Sequence, residues 1–411
     1  MSVNIVDRFE LAPLISPQSN QRSAVHRWYS FKHGFSKDLV INLINHFNLK
    51  RNAWVLDPFC GSGTTLLTCR ELGLNALGFD ILPFSVYLSN RKVRYYYADL
   101  LLKQVEILKN TKSNVRNNQR CLPDIPLVNK AFGARIAEQL VTLKSRIDDI
   151  EEDEAKHFFN LAFLSILGSV SNTLNDGGFL RIVRRDINPH KIEELFFDKI
   201  NSMIEDIQSD VVSSWNYRNS IKAKIGDARR LSTIRKFDAI ITSPPYLNRH
   251  DYTRIYSLEM IFDFISTNQE LKEIRYNTIR SHVEAKKRYS APNYNEPPLI
   301  AELISAINTN GTNNTKVVAM IAGYFEDMYI SLAEMSRCLK PKGKVSLVVS
   351  NVRFSGVTIP VDELLSEIGA QVGLRPIEIW AVRQRGNSSQ QMRQYNRKLS
   401  RESVIIWEKL S

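Results

Sequence analysis

Residues 53–81, "AWVLDPFCGSGTTLLTCRELGLNALGFDI", constrain the fold more than any other stretch of this chain. A short apolar run at 53–59 leads into a glycine-containing turn, and the residues after the turn have the apolar spacing of a helix. Gly73 ends that helix, and residues 75–81 form a second apolar run. Two short strands joined through a helix within about 30 residues are typical of a doubly wound parallel sheet. The unit therefore predicts an α/β fold.

Further strands of the same sheet are predicted later in the chain. Apolar runs at 221–229, 236–246 and 343–352 each end in polar residues, and an amphipathic helix precedes the last of them. The runs at 374–384 and 402–410 close the sequence, and we expect them to form an antiparallel pair around the loop between them.

Two long stretches interrupt this strand pattern. Residues 83–217 lack strand alternation and are predicted to form several helices. Residues 263–317 are polar and end in the loop-like "NTNGTNNTK". We interpret both as insertions into one sheet, with a separate helical domain as the alternative for the first.

Composition argues against several classes of protein. No apolar run approaches 18 residues and the N-terminus lacks a signal-peptide core, so we expect a cytoplasmic protein that makes no contact with a membrane. The four cysteines include no CxxC pair and the seven histidines no HExxH spacing, so the sequence predicts no metal site.

The net charge of +12 favours a polyanionic partner, because positive charge attracts nucleic acid and releases its counterions. Residues 383–401, "RQRGNSSQQMRQYNRKLSR", contain no acid and are rich in Gln, Asn and Ser, which contact phosphates and base edges. A solvated hairpin loop is the alternative interpretation. The basic residues of this loop are Arg383, Arg385, Arg393, Arg397, Lys398 and Arg401.

Polar residues stand where four of the predicted strands end, at Asp57, Asp80, Asp227 and Ser243. Ligands bind outside the carboxyl ends of strands in open parallel sheets, so we expect these residues to surround one site. In the first turn Gly61 and Gly63 allow close approach to a ligand, and Asp80 stands where a carboxylate binds a ribose diol. The turn lacks the Lys-Ser/Thr of a phosphate-binding loop, and Leu66 replaces the third glycine of a dinucleotide site. A nucleoside cofactor without a pyrophosphate fits best.

The stretch "TSPPY", residues 242–246, ends a buried apolar strand with two prolines and an aromatic ring. Proline cannot donate to a sheet ladder and holds the preceding residue extended, so the strand must stop in a rigid turn. Such a turn is either punctuation or a fixed platform for a flat ligand.

Together "VLDPFCGSGTT", "GFDI" and "TSPPY" resemble the motifs of DNA amino-methyltransferases, the cytosine-N4 and adenine-N6 family that uses S-adenosylmethionine (SAM). Residues 26–47 are similar to the segment that covers the methionine end of the cofactor in that family. The resemblance spans 26–82, 221–260 and 320–411, and it implies a Rossmann-like class I SAM-dependent methyltransferase sheet with a larger helical and a smaller second insertion.

The resemblance also implies residue roles. Asp57 and the glycine turn would surround the methionine part of SAM, Asp80 would bind the ribose with Ile81 against the adenine, and Asp227 would bind the adenine amino edge. As alternatives, Asp57 is a helix N-cap and Asp227 a plain turn residue. The implied cofactor-binding residues are Phe31, Lys32, Asp57, Pro58, Phe59, Gly61, Ser62, Gly63, Thr64, Thr65, Asp80, Ile81, Asp227 and Ala228.

The implied catalytic residues are Ser243, Pro244, Pro245 and Tyr246. In the family, the side-chain oxygen of the first residue and the carbonyl of the next accept hydrogen bonds from the target amino group, and the aromatic residue stacks on the flipped base. Serine in the first place usually accompanies cytosine N4, and adenine N6 is the alternative. We therefore expect the modification enzyme of a restriction system, acting on double-stranded DNA beside a cognate endonuclease.

Predicted DNA contacts lie after the proline turn and in the basic loop. For Arg249 and Arg254, phosphate contact and plain surface solvation are both open. The other predicted contacts are Tyr252, Arg383, Arg385, Arg393, Arg397 and Lys398. Rival functions are an RNA guanine-N2 methyltransferase, which usually carries Asp or Asn before the prolines, and a non-catalytic DNA-binding protein.

These interpretations divide the chain into five segments. They are 1–82, the N-terminal segment and first part of the core; 83–217, the helical insertion and a candidate DNA target-recognition region; 218–262, the catalytic part of the core; 263–317, the polar insertion; and 318–411, the C-terminal part of the core with the basic loop 383–401.

Overall fold

The computed structural model describes residues 3–111, 125–310, 315–386 and 398–410. The strands within these ranges are β1 (Asn4–Asp7), β2 (Trp54–Asp57), β3 (Asn75–Asp80), β4 (Thr173–Asp176), β5 (Phe179–Ile182), β6 (Ile221–Ile225), β7 (Phe237–Thr242), β8 (Leu339–Ser350), β9 (Val352–Phe354), β10 (Val357–Ile359), β11 (Leu374–Arg385) and β12 (Ser400–Lys409). The α-helices are α1 (Lys37–His46), α2 (Thr64–Leu72), α3 (Pro83–Lys92), α4 (Ala98–Asn110), α5 (Pro126–Ala131), α6 (Ala134–Asp148), α7 (Asp153–Ile166), α8 (Lys191–Gln208), α9 (Asp210–Ser213), α10 (Tyr252–Ile255), α11 (Ser257–Asp263), α12 (Asn268–Asn277), α13 (Pro298–Thr309), α14 (Thr315–Cys338) and α15 (Val361–Gln371). Short 3₁₀ helices at Phe9–Ile15, Pro17–Arg22 and His26–Trp28 precede α1.

Eight of the described strands form one sheet in the order β1-β11-β12-β8-β7-β2-β3-β6. Neighbouring strands run parallel, except that β12 is antiparallel to both β11 and β8. The predicted α/β fold with a mostly parallel sheet is confirmed. The expected antiparallel pair near the end of the chain is present as β11 and β12.

The reversal of β12 brings distant parts of the chain to one edge of the sheet. Because β12 runs against its neighbours, its amino end lies beside the carboxyl ends of β8 and β11. The end of β7 at Thr242, the end of β11 at Arg385 and the start of β12 at Ser400 therefore share an edge. The parallel strands β2 and β3 end at the same edge, at Asp57 and Asp80. This is the edge at which a ligand is expected.

Apolar side chains cover both faces of the sheet. On β7, the neighbouring residues Ile240 and Ile241 are both fully buried, yet they belong to opposite cores because side chains alternate along a strand. Helices α1, α2 and α3 pack on one face, and α14 and α15 pack on the other. Strand β7 is thus held from both sides up to the residue at which the proline turn begins.

The segment 83–217 differs in two places from the predicted helical insertion. Helix α3 packs on β3 and β6, as a connection between neighbouring parallel strands does. Strands β4 and β5 form a hairpin, so the expectation that the segment holds no strands is wrong there. The hairpin turns at Gly177 and Gly178, and Gly177 has φ +65°. A two-residue glycine loop is a strong hairpin signal, and it is independent of apolar periodicity.

Several other elements were not predicted, among them one strand and two helices. Strand β1 pairs in parallel with β11, and its four residues are too few to show a period. The polar segment 263–317 contains helices α12 and α13. Among the described residues, no helix has both the length and the apolar character needed to cross a bilayer.

Candidate active site

A cavity of about 610 Å³ opens at the edge where these strands end. Most of the predicted site residues are on its wall. They are Phe31, Lys32, Asp57, Pro58, Phe59, Gly61, Ser62, Thr64, Asp80, Ile81, Asp227, Ala228, Ser243, Pro244, Pro245, Tyr246, Tyr252, Arg383 and Arg385. Gly63 and Thr65 do not line the cavity and lie just behind it, and the side chains of Arg249 and Arg254 lie outside it.

The glycine turn between β2 and α2 requires glycine at two positions. Gly61 has φ +47° and Gly63 has φ +77°, both in the left-handed region that side chains with a Cβ avoid. A Cβ on Gly63 would also lie 2.7 Å from the Ser89 hydroxyl oxygen. The Phe31 ring packs over Gly61, 3.3 Å from where its Cβ would be. The turn is thus pressed between Ser89 and Phe31.

Asp57 joins the cofactor turn to the strand that carries the proline turn. Its Oδ1 accepts a 2.6 Å hydrogen bond from the Thr242 hydroxyl and a 3.2 Å bond from the Phe59 N–H. Gly63 occupies the N-cap of α2 and no side chain caps that helix, so the N-cap alternative for Asp57 does not apply. Burial raises the pKa of Asp57 to about 6.

Asp80 is bound by backbone N–H groups from two sides. Gly61 donates to Oδ2 and Leu82 donates to Oδ1, each at 2.9 Å. These bonds fix the carboxylate at the end of β3, on the cavity wall. Burial raises its pKa to about 6, and the two N–H bonds oppose that rise.

Asp227 follows β6 and is bound mainly by one buried arginine. The Arg229 Nε donates to Oδ1 at 3.0 Å, its Nη2 donates to Oδ2 at 2.8 Å, and its backbone N–H donates to Oδ1 at 3.0 Å. The Tyr289 hydroxyl donates to Oδ2 at 3.1 Å. A carboxylate offers about four acceptor positions, so the protein itself occupies those of Asp227. An adenine amino group that is expected to donate to Asp227 therefore meets a carboxylate whose acceptor positions are already filled in this arrangement.

The proline turn follows β7 directly and faces the cavity. Pro244 is buried, while Ser243, Pro245 and Tyr246 are half-buried. The bond from Thr242 to Asp57 anchors the residue just before this turn. Burial raises the pKa of Tyr246, and the nearby Glu402 carboxylate adds to the rise.

Two histidines form part of the wall beyond the proline turn. The rings of His33 and His250 lie 5.5 Å apart. Burial lowers the pKa of His33 to about 4 and also lowers that of His250, so both rings are neutral at pH 7. The tip of the β4–β5 hairpin supports His250, since a Cβ on Gly178 would lie 2.9 Å from its ring.

Sequence reasoning missed several parts of the wall, among them Ile15–Gln18 and two parts from later in the chain. One consists of Asn277, Thr278, Ile279, Ser281 and His282, from the polar insertion. The other is Glu402, which is buried and bound by Arg383 and Arg385. The predicted pairing of 374–384 with 402–410 was a usable signal for Glu402, because it brings that acid close to the arginines of the opposite strand.

The remaining predicted DNA contacts differ in their surroundings. Arg249 is exposed, while Arg254 is ion-paired with Asp251 and Glu284. Lys398 lies near the start of β12, away from the main cavity. Arg393 and Arg397 lie outside the described residues. In the described ranges, no cluster of three or more His, Cys, Asp or Glu side chains is arranged to hold a metal ion.

Comparisons with known proteins point to one family. Residues 12–91 match the family described as DNA methylase. The type II methyltransferase M.BsoBI of Geobacillus stearothermophilus is 31% identical, over 99% of this chain and 90% of its own length. The type II methyltransferase M.AvaI of Nostoc sp. strain PCC 7120 is 30% identical, over 96% of this chain and 89% of its own. Among solved structures, a SAM-dependent methyltransferase of Methanosarcina mazei aligns at 10% identity, over 89% of this chain and 97% of its own, with a TM-score of 0.32.

Proposed function

Since this chain belongs to the DNA amino-methyltransferase family, we propose that it methylates N4 of a cytosine flipped out of double-stranded DNA. It is a SAM-dependent enzyme with the class I methyltransferase fold, of the type found in restriction–modification systems. One observation carries the proposal: the turn Ser243–Tyr246 and the glycine turn line the same cavity. Cofactor and target base can therefore meet there.

The residues around the glycine turn fit SAM. When bound, SAM supplies an electrophilic methyl group on a positively charged sulfonium. Asp57 and Asp80 give this part of the cavity an acidic character that suits a cation, and the fixed carboxylate of Asp80 suits a ribose diol. We assign Asp80 to the ribose, Ile81, Asp227 and Ala228 to the adenine end, and Phe31 and Lys32 to the methionine end.

The proline turn would activate the target nitrogen. The lone pair of an exocyclic amino group is delocalised into its ring, so the nitrogen is a poor nucleophile. Acceptors on both N–H bonds, the Ser243 hydroxyl oxygen and the Pro244 carbonyl, draw it toward a tetrahedral shape and free the lone pair. The nitrogen would form its bond to the methyl carbon as the methyl–sulfur bond breaks, with that electron pair left on sulfur as a neutral thioether, and one N–H proton would be released to solvent. The prolines hold the carbonyl fixed, and such positioning is the main source of rate.

Cytosine is the proposed base because Ser243 takes the place where aspartate usually accompanies adenine. Tyr246 would stack on the flipped base, and the exposed Arg249 would contact a phosphate. An enzyme of this kind would act on DNA in the cytoplasm, beside an endonuclease that cuts the same site.

Nucleoside mass spectrometry on plasmid DNA from expressing cells tests the proposal. We expect N4-methylcytosine with the wild type and none with Ser243→Ala, while Ser214→Ala, at an exposed serine of the helical insertion, keeps the mark. Purified Ser243→Ala should still bind SAM, and this binding would show that the variant loses methylation without losing its fold. N6-methyladenine in place of N4-methylcytosine would overturn the choice of base. If a protein that binds SAM leaves neither mark on the DNA, the proposed reaction is wrong.

A further inference from the structure

Three side chains form one wall of the cavity, across from the glycine turn in the order of the sheet. We call Arg383, Arg385 and Glu402 the arginine wall. The Arg383 Nε and Nη2 lie 2.6 and 2.5 Å from Glu402 Oε2, and the Arg385 Nη1 donates to Oε1 at 3.1 Å. Arg383 stands opposite Glu402 in the register of β11 and β12.

Burial assigns different tasks to the acid and the two arginines. The Glu402 side chain is 3% exposed, whereas those of Arg383 and Arg385 are 29% and 58% exposed. Both oxygens of Glu402 accept from guanidinium groups, so this carboxylate is poorly placed to take a proton from a substrate. Glu402 instead fixes the two arginines, and the arginines present their surface to the cavity.

Within the part of the chain that the structure describes, most donors of the two arginines have no partner and are left for a ligand. A guanidinium has five N–H donors in a planar fork, and Glu402 takes two from Arg383 and one from Arg385. The buried negative charge of Glu402 offsets one of the two positive charges. One net positive charge remains, and the donors that Glu402 does not take suit a ligand rich in hydrogen-bond acceptors.

A flipped cytosine has such an acceptor edge. With its amino group bound to the proline turn, O2 and N3 remain, and both lost their donors when guanine was left behind in the duplex. The planar fork of an arginine can replace the two N–H groups of guanine. On its Watson–Crick edge adenine has only N1 beside its amino group and a C–H where cytosine has O2, so two donors directed at that edge favour cytosine.

We propose that the arginine wall recognises the flipped base, with Arg383 and Arg385 donating to O2 and N3 of cytosine and Glu402 acting as their positioning residue. This inference rests on the proposed function and names what reads the base within it. The charged residue Glu402 also lies near Tyr246, the ring expected to stack on the same base.

The test is a cycle that combines protein variants with base analogues. Duplexes carry the site that the wild type methylates in plasmid DNA, with cytosine, 3-deazacytosine (no N3 acceptor) or a 2-aminopyridine C-nucleoside (no O2) at the target. The variants are Arg385→Ala, Arg385→Lys and Glu402→Gln. The matched control is Arg375→Ala, because Arg375 is 57% exposed and pairs with Glu408 across the same two strands at their opposite end.

On cytosine we expect kcat/KM to fall roughly 10- to 100-fold for Arg385→Ala, about the cost of losing a charge-assisted hydrogen bond. Arg385→Lys keeps the charge but loses the fork, so it should also fall, and Glu402→Gln should fall less. At least one analogue should lower the kcat/KM of the wild type by a similar factor. The same analogue should lower the kcat/KM of Arg385→Ala little below its value on cytosine, because the contact is already lost in that variant. SAM affinity should stay unchanged in all variants, and Arg375→Ala should resemble the wild type.

The inference would be overturned if Arg385→Ala lost the same fraction of the wild-type kcat/KM on cytosine and on both analogues. A loss in Arg385→Ala that Arg385→Lys fully restores and that disappears at high salt would also overturn it, because that pattern indicates a phosphate contact. A wild type that yields N6-methyladenine would overturn the proposed base instead, and the same cycle with 1-deazaadenine would then test the arginine wall separately.

Discussion

Two ion-paired groups in the cavity are built in opposite senses. At the cofactor end, Arg229 is buried with a side-chain exposure of 0% and holds the carboxylate of Asp227, which is 16% exposed. At the far wall, Glu402 is the buried partner, and it holds two partly exposed arginines. In each case the buried member fixes the geometry of its partner, and the more exposed member lies on the cavity wall. The wall thus carries a fixed carboxylate at one end and two fixed guanidinium groups at the other.

Removing the buried arginine at the cofactor end is expected to have the largest effect on stability. Arg229 also binds Asp327, which is fully buried, so Arg229→Ala leaves buried carboxylates short of a partner. We expect the free energy of unfolding to fall by roughly 3–5 kcal/mol in urea titrations. Lys109→Ala breaks an exposed pair with Glu106 and should cost less than about 1 kcal/mol. Similar losses in the two variants would contradict this view of the buried pair.

The buried Asp57 should make stability depend on pH in the reverse sense to an ordinary paired acid. Its pKa in the folded protein is about 6, above its usual 3.8, so the folded state binds more protons than the unfolded state between these values. The contribution of Asp57 to stability is therefore present below about pH 4 and is lost as pH rises through 6. As pH rises across this range, the free energy of unfolding of Asp57→Asn should increase relative to that of the wild type, by up to roughly 3 kcal/mol. A difference that is constant from pH 4.5 to 7 would refute the assignment.

Asp80 should control the affinity for SAM. Asp80→Asn replaces a carboxylate that would accept two ribose hydroxyls, so we expect the Kd at pH 7 to rise roughly 10- to 100-fold in calorimetric titrations. The carboxylate is the better acceptor and its pKa is about 6, so the wild-type affinity should increase from pH 5 to pH 7. The increase should be smaller in Asp80→Asn. Asp176→Asn, at an exposed acid of the β4–β5 hairpin, should bind SAM as the wild type does.

The smallest expected effect concerns Arg249, the proposed phosphate contact. Arg249 is exposed and has φ +69°, so Arg249→Asn removes its charge with a residue that tolerates this backbone. We expect DNA affinity to fall a few-fold and the slope of log K against log salt to decrease by about 0.9. Arg254→Asn should change the slope less, because Glu284 and Asp251 already pair with Arg254. Equal changes in the two slopes would show that an ion pair within the protein does not decide which arginine contacts a phosphate.

The glycine turn and the strand end beside it could be predicted from sequence because their determinants are local. Gly61, Gly63 and Asp80 lie in one strand–helix–strand unit, and backbone conformation alone dictates the glycines. The proline turn is local as well, so its place at a strand end followed from the chemistry of proline.

The arginine wall could not be predicted in the same way, because it depends on register. Arg383 and Glu402 come from two strands, and a register shift between Ala381 and Arg383 decides which residue faces Glu402. No run of sequence letters encodes that shift. The contribution of Asn277–His282 to the cavity is likewise a matter of tertiary packing, since that segment has no period of its own.

The edges of the large sheet have a consequence for the behaviour of the protein at high concentration. The outermost strands are short, with four residues in β1 and five in β6. Lys222 and Lys224 project from β6 into solvent. An edge strand can recruit the strand of another molecule, and short length and exposed lysines oppose this. The six strands between these edges are therefore shielded from pairing edge to edge with the sheet of another molecule.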